Sequence, residues 1–261
     1  MSTDDAPPIL AGAEPFSHHG DGAAGVLVLH GFTGNPSSMR GLAMAFAEAG
    51  YHVELPLLPG HGTTIDDMLR TTWADWTDEV EQAYQRLAER ASDIVLAGLS
   101  MGGSLALWLA MYHPEIKGLV CVNPATAPVG GDIMEMVREA QAGGADVMPG
   151  IGNDIADPDE QELAYEGTPL APLLSFMTDG LEPMSTRYGE LRMPLRLFTS
   201  RQDHVVEPTQ SVHLAGAHGG ELDHTWLERS YHVATQDFEK DHIFGEAVAF
   251  ADRVCGRRAR R

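Results

Sequence analysis

Only two cysteines, Cys121 and Cys255, occur in 261 residues. Cys121 stands inside the apolar run Leu119 to Val122 and reads as a small buried hydrophobe; Cys255 lies beside a basic tail. This scarcity excludes a disulfide framework, and no Cys-x-x-Cys pair offers a zinc site. Basic residues are few as well, 17 against 38 acids, for a formal net charge of −21. A surface of that sign repels nucleic acid and anionic membrane. The one basic cluster, Arg257, Arg258, Arg260 and Arg261, reads as a solvated chain end. No apolar run approaches the roughly 20 residues that a bilayer requires. The longest, Ser104 to Tyr112, suits a buried helix. The opening stretch MSTDDAPPILAGAEP carries acids where a secretory signal carries bases, and its apolar patch at Ile9 to Ala11 is too short for a signal core. The 12 histidines show no His-x-x-x-His or other tight ligand spacing. Together these absences point to a soluble cytoplasmic protein with no nucleic-acid partner, no stable membrane insertion, no metal and no organic cofactor.

What the chain does have is regular alternation. A chain of this length buries a substantial core without staples. Continuous apolar runs occur at Gly25–His30, Tyr51–Pro56, Asp93–Gly98, Gly118–Asn123, Leu195–Ser200 and Leu222–Leu227. Between them lie helical patterns. Met39 to Ala49 is rich in Ala, Leu and Met, and Gly50 follows as the residue that closes a helix in the left-handed region. In Thr72 to Ala91, the residues Trp73, Trp76, Val80, Ala83, Tyr84 and Leu87 recur at helical steps, and Thr72 with Asp75 forms a capping box. Met101 to Tyr112 and Asp241 to Val254 read as two more helices. Strands apolar throughout and alternating with helices imply an α/β fold: a mostly parallel sheet with helices on both faces. Residues 1 to about 14 read as loosely held. The stretch Pro124 to Glu190 breaks the alternation and reads as a small cap inserted between two core strands of one domain spanning 1–261. It carries a helix near Asp132 to Ala142 and an apolar stripe of Leu170, Leu173, Leu174, Met177 and Leu181, which suits either an acyl channel or packing within the cap.

In such a sheet, chemistry gathers at the carboxyl ends of the strands. After Asp93–Gly98 comes GLSMGG, a G-x-S-x-G between a strand and a helix. A sharp turn there lifts the hydroxyl of Ser100 clear of the backbone as a nucleophile, and the glycines relieve crowding beside it. After Gly25–His30 comes HGFTGNP. That loop offers a backbone N–H at Phe32, which with the N–H of Met101 can hold a developing oxyanion. His30 reads as a support for this loop, and His61 in the loop PGHG as a structural residue. After Leu195–Ser200 comes TSRQDHVV, which puts Asp203 where an acid can orient a base. Its competitors are Glu207 and Asp237, read as surface loop positions, and Asp223, within a strand. His232 follows the last strand, where a base can reach Ser100, whereas His204 adjoins the acid and points away. The order Ser100, Asp203, His232 is the order of an α/β-hydrolase triad.

The segments VLVLHGFTGNP, LPGHG, GLSMGG, SRQDHVV and SYHVATQDFEKD span Val26 to Asp241. On these the chain resembles the small bacterial carboxylesterases and monoacylglycerol lipases of the α/β-hydrolase superfamily. The resemblance implies Ser100, Asp203 and His232 as triad, Phe32 and Met101 as oxyanion donors, and a small cap over an apolar acyl pocket. From Pro124 to Glu190 stand 13 acids and 2 arginines, a net of −11, so the expected substrate is a neutral short- to medium-chain ester or a monoacylglycerol rather than an anion such as an acyl-CoA. The same triad also serves thioesterases, amidases and C–C bond hydrolases, and the same fold serves as a ligand receptor.

Overall fold

The computed structural model of the chain describes residues 7–257. Each apolar run becomes a strand. In chain order the strands are β1 (Phe16–His18), β2 (Ala24–Leu29), β3 (His52–Leu55), β4 (Asp93–Leu99), β5 (Gly118–Val122), β6 (Val147–Pro149), β7 (Gly167–Pro169), β8 (Leu195–Ser200) and β9 (Leu222–Leu227). Seven of them form one sheet in the order β1-β3-β2-β4-β5-β8-β9. Every neighbouring pair is parallel except β1 with β3. The helices are α1 (Ser37–Glu48), α2 (Ile65–Met68), α3 (Trp73–Ala88), α4 (Met101–Tyr112), α5 (Gly131–Ala142), α6 (Leu170–Ser175), α7 (Glu182–Met184), α8 (Pro208–Ala217) and α9 (Lys240–Val254).

Successive side chains of a strand point to opposite faces of the sheet. In β2, Leu27 and Leu29 therefore join one core while Val26 and Val28 join the other. Helices α3 and α4 close the first core with Trp76, Val80, Leu105 and Leu109. Helices α1 and α9 close the second with Met39, Phe46, Ile243 and Phe250. Each such side chain contributes about 1.5–3 kcal/mol relative to exposure, and covering both faces is why the strands read as unbroken apolar runs. The caps are also where the residues put them. The Asp75 carboxylate accepts from the Thr72 N–H at 2.8 Å and from its hydroxyl at 2.7 Å. Gly50 closes α1 with φ +86°.

Two features differ from expectation. The N-terminal stretch is better held than its composition suggests: Leu10 N–H donates to the Gly62 carbonyl at 2.8 Å, and Ala13 is fully buried. Residues 1–6 of that stretch lie outside the described residues. The short edge strand β1 has no apolar run to announce it; it exists because β3 offers it an open edge. Between β5 and β8, the insertion holds α5, the antiparallel pair β6–β7, α6, a π-helical stretch at Phe176–Leu181 and α7. The expected apolar stripe is there, but its second half winds as a π-helix. Gly180 in this stretch lies so close to Trp73 that a Cβ would meet its ring at 2.9 Å. Among the described residues, no helix is long and apolar enough to cross a membrane.

Candidate active site

β4 ends at Leu99 and α4 begins at Met101, so Ser100 alone makes the turn. It does so at φ 55° and ψ −121°, a conformation that costs a residue with a side chain about 1–3 kcal/mol. Three glycines make room for it. A Cβ on Gly98 would lie 2.2 Å from the Gly102 carbonyl oxygen, one on Gly102 2.2 Å from that of Leu29, and one on Gly103 2.8 Å from the Pro124 Cβ. The Ser100 N–H donates to the Val122 carbonyl at 3.0 Å, fastening the turn to β5. Gly102→Ala is expected to lower stability by about 3 kcal/mol, because a methyl pressed on backbone has no rotamer to escape into. Urea unfolding measures this, and an unchanged midpoint would mean that the turn relaxes freely.

Asp203 follows β8 and His232 follows β9. The His232 Nδ1–H donates to Asp203 Oδ2 at 2.8 Å. Asp203 Oδ1 accepts from the Val205 and Val206 N–H groups at 2.9 and 2.8 Å. Both carboxylate oxygens are thus committed, and the acid cannot turn away from the ring. Burial alone would lower the His232 pKa, but the Asp203 carboxylate, with Glu162 and Asp154 near it, outweighs burial and holds the ring above the usual histidine value.

The competing residues lie elsewhere. Asp223 is exposed on β9 and pairs with Arg196 at 2.9 Å. Glu207 is exposed at the start of α8. Asp237 corrects its reading as a surface loop position, for it is fully buried. Its carboxylate accepts from the Ala156, Asp157, Tyr231 and Phe238 N–H groups, and those donors replace the water it gives up. His204 points away from Asp203 and donates from Nδ1 to Asp154 at 2.7 Å. His30 lies against the Gly31 carbonyl at 3.0 Å and accepts from the Leu58 N–H at 3.1 Å. His61 contacts the Pro59 carbonyl at 3.0 Å. Burial pushes both rings down, His61 to about 4, so they hold the HGFTG loop as neutral struts.

Ser100 and His232 line one cavity of about 410 Å³. Its walls are mostly apolar: Ile133 and Met136 from α5, Leu170, Leu173 and Met177 from the stripe, and Phe176 beside them. Leu181 of that stripe is instead buried in the core. The Phe32 ring stacks on Phe176 with centroids 6.2 Å apart. Thr33 beside it takes φ +62°, which is strained for a β-branched residue. Among the described residues no acceptor meets the N–H of Phe32 or of Met101. Also among the described residues, no cluster of three His, Cys, Asp or Glu side chains is placed to hold a metal ion.

Residues 20–239 match the family model described as serine aminopeptidase, S33. The chain belongs to this hydrolase family. It is 42% identical over 253 residues to a thermostable monoacylglycerol lipase of Bacillus sp. (strain H-257), covering 95% of this chain and 98% of that protein. It is 29% identical over 245 residues to a carboxylesterase of Bacillus subtilis (strain 168), covering 92% and 97%. A solved structure from the two metagenome-derived lipolytic enzymes LipS and LipT superposes with a TM-score of 0.88 at 38% identity, covering 94% of this chain and all of that one. The sheet is therefore that of an α/β-hydrolase, and the chain is a serine hydrolase of carboxylic esters.

Three residues of this hydrolase's site were not foreseen. Asn123 follows β5 with φ +44°. Its carboxamide donates to the His232 carbonyl at 2.8 Å and accepts from the Ser200 N–H at 2.7 Å. Its place at a strand's carboxyl end was the signal that could have found it. Asp154 and Glu162 line the cavity from the insertion. Nothing marks them among the 13 acids there.

Proposed function

We propose that Ser100 is the nucleophile, His232 the general base and acid, and Asp203 the group that orients it. The Phe32 and Met101 N–H groups then form the oxyanion hole. The substrate is a neutral carboxylic ester, short- to medium-chain and including monoacylglycerols. The observation that carries this reading is one apolar cavity lined by both Ser100 and His232, with Asp203 bonded to the far side of the imidazole at 2.8 Å. His232 Nε2 takes the Ser100 proton as Oγ attacks the ester carbonyl, and the oxyanion is held by the two amides. His232 returns the proton to the leaving alcohol. Water, deprotonated by the same nitrogen, then releases the acid and restores Ser100. The chain works as one domain, residues 124–190 serve as a cap over the acyl pocket, and the setting is cytoplasmic.

Two features support a neutral substrate with free hydroxyls. The cap carries a net charge of −11, which repels anions. Glu162 lines the cavity with Ser100 and His232, and among the described residues its carboxyl is influenced by burial and by the charges of His232 and Asp154, with no hydrogen-bond donor on it. Burial raises its pKa. A glycerol hydroxyl would satisfy it, whereas a simple alkyl ester would not. The test is a panel of p-nitrophenyl esters of rising chain length with 1-monoacylglycerol and an acyl-CoA alongside. Glu162→Gln should raise KM for monoacylglycerol about tenfold more than for the p-nitrophenyl ester of the same acyl chain, the worth of one charge-assisted hydrogen bond. Better cleavage of acyl-CoA, or of amides, than of any ester would overturn the substrate assignment.

A further inference from the structure

His232 has four polar groups in the main chain and ring, and three are held. Nδ1 is on Asp203, the carbonyl accepts from Asn123, and the N–H donates to Asp154 Oδ2 at 3.1 Å. Only Nε2 is left for chemistry. Asp203 and Asn123 each follow a strand of the core sheet, but Asp154 belongs to the cap. Asp154 is 6% exposed and reaches both loops that carry the base and its orienter. Its Oδ1 accepts from His204 Nδ1 at 2.7 Å. Its Oδ2 also accepts from the His204 N–H at 3.1 Å, one residue past Asp203. Its carbonyl accepts from the Val233 N–H at 3.1 Å, one residue past His232. A carboxylate withdrawn from water this far is costly unless it is fully bonded, and here each donor comes from a loop of the active site.

The adjoining cap residues are fastened in the same direction. Asp237 Oδ2 accepts from the Ala156 and Tyr231 N–H groups, both at 2.8 Å, and its Oδ1 accepts from the Asp157 N–H at 3.1 Å. Two buried carboxylates, one from each side, therefore stitch cap residues 154–157 to the His232 loop.

We infer that Asp154 is a positioning residue for the reaction: it sets the main chain of His232 and ties the acid loop to the base loop, so that the root of the cap is a fixed part of the catalytic apparatus. The inference rests on His232 being the base. Three carboxylates face that imidazole: Asp203 on the β8 loop, and Glu162 and Asp154 on the cap. His204 is the titratable neighbour on the Asp154 side, with Nδ1 2.7 Å from Asp154 Oδ1. Removing the Asp154 charge takes away one influence that raises the His232 pKa, so the acid limb of the pH profile moves to lower pH. Removing its geometry misplaces Nε2, and a displacement on the order of 1 Å costs about 100-fold in rate.

Asp154→Asn in the full chain tests this. The amide oxygen keeps both main-chain N–H groups only with its NH₂ facing His204 Nδ1, which must then change tautomer to accept, and both main-chain bonds lose their charge assistance. We expect kcat on a p-nitrophenyl ester to fall by about 10- to 100-fold with KM within about twofold, and the acid limb of kcat/KM to move down in pH. Asp237→Asn is the comparison, since it removes the neighbouring anchor without touching His232. It should lower Tm and leave the acid limb in place. If Asp154→Asn does not accumulate as folded protein, Asp154→Ser carries the same expectation. The inference is overturned if both Asp variants behave alike, losing Tm with the acid limb unmoved, or if Asp154→Asn keeps the wild-type kcat. His232→Ala separates this failure from the larger one. If that variant stays active, the base assignment falls; if it is dead while Asp154→Asn is normal, only the positioning role falls.

Discussion

Ser100→Ala is expected to lower kcat on a p-nitrophenyl ester by about 10⁶-fold while the protein keeps its fold. The size of the effect follows from the way the group acts. Without Oγ there is no acyl-enzyme, and His232 has no proton to take. What survives is substrate binding and the two amides, worth about 10³- to 10⁴-fold over water. His232→Ala should therefore cost nearly as much as Ser100→Ala, and the double variant little more than either, because the groups act as one unit. Alanine at 100 keeps a Cβ at the strained φ of 55°, so the turn and its fit against Gly98 and Gly102 are retained. The measurement is initial rate on purified protein, with labelling by a fluorophosphonate as the second readout. The idea is sunk if the variant keeps more than about a thousandth of the rate, or still labels. In that case the nucleophile would be another hydroxyl of the cavity wall, of which Thr33, Tyr165 and Thr168 are the candidates.

The parts of this enzyme that were legible in the sequence are those set by local rules. Strands β2, β4, β5 and β8 sit inside a sheet covered on both faces, so each is a continuous apolar run. The turn at Ser100 is legible because part of its crowding is local: Gly98 meets Gly102, four residues on, while Gly102 and Gly103 meet Leu29 and Pro124. The places of Asp203 and His232, each just after a strand, were legible from position as well. The residues that escaped are defined by partners far along the chain. Asp154 meets His232 across 78 residues and Asn123 meets it across 109. Asp237 looks like a loop acid until the inserted chain 81 residues earlier packs against it and donates its N–H groups. No periodicity carries such a contact. The stripe at 170–181 shows the same limit from the apolar side. Leu173 lines the cavity and Leu181 is buried in the core, yet the two read identically as sequence, because burial against protein and burial against an acyl chain demand the same side chain.

Asp203→Asn is expected to lower kcat by about 10⁴-fold, and this structure says why the near-isosteric change should be so severe. Asp203 Oδ1 accepts from the N–H groups of Val205 and Val206 at 2.9 and 2.8 Å. Asparagine has one acceptor oxygen, and those two donors claim it. The NH₂ group is then left where Oδ2 stood, 2.8 Å from His232 Nδ1. Facing a donor, Nδ1 must become the acceptor, and the ring proton moves to Nε2. An imidazole protonated at Nε2 cannot take the proton of Ser100. The variant is thus held in the wrong tautomer rather than merely loosened. Asp203→Ala does not impose that tautomer, and should be no worse than Asp203→Asn despite removing more atoms. The pH profile adds an independent check. Burial lowers the His232 pKa and the Asp203 charge opposes it, so losing the charge moves the acid limb of kcat/KM to lower pH in both variants. The tautomer itself is read from the ring nitrogen shifts of labelled His232. A rate within tenfold of wild type, or an Asp203→Asn ring still protonated at Nδ1, would show that the Asp203–His232 pair does not set the base.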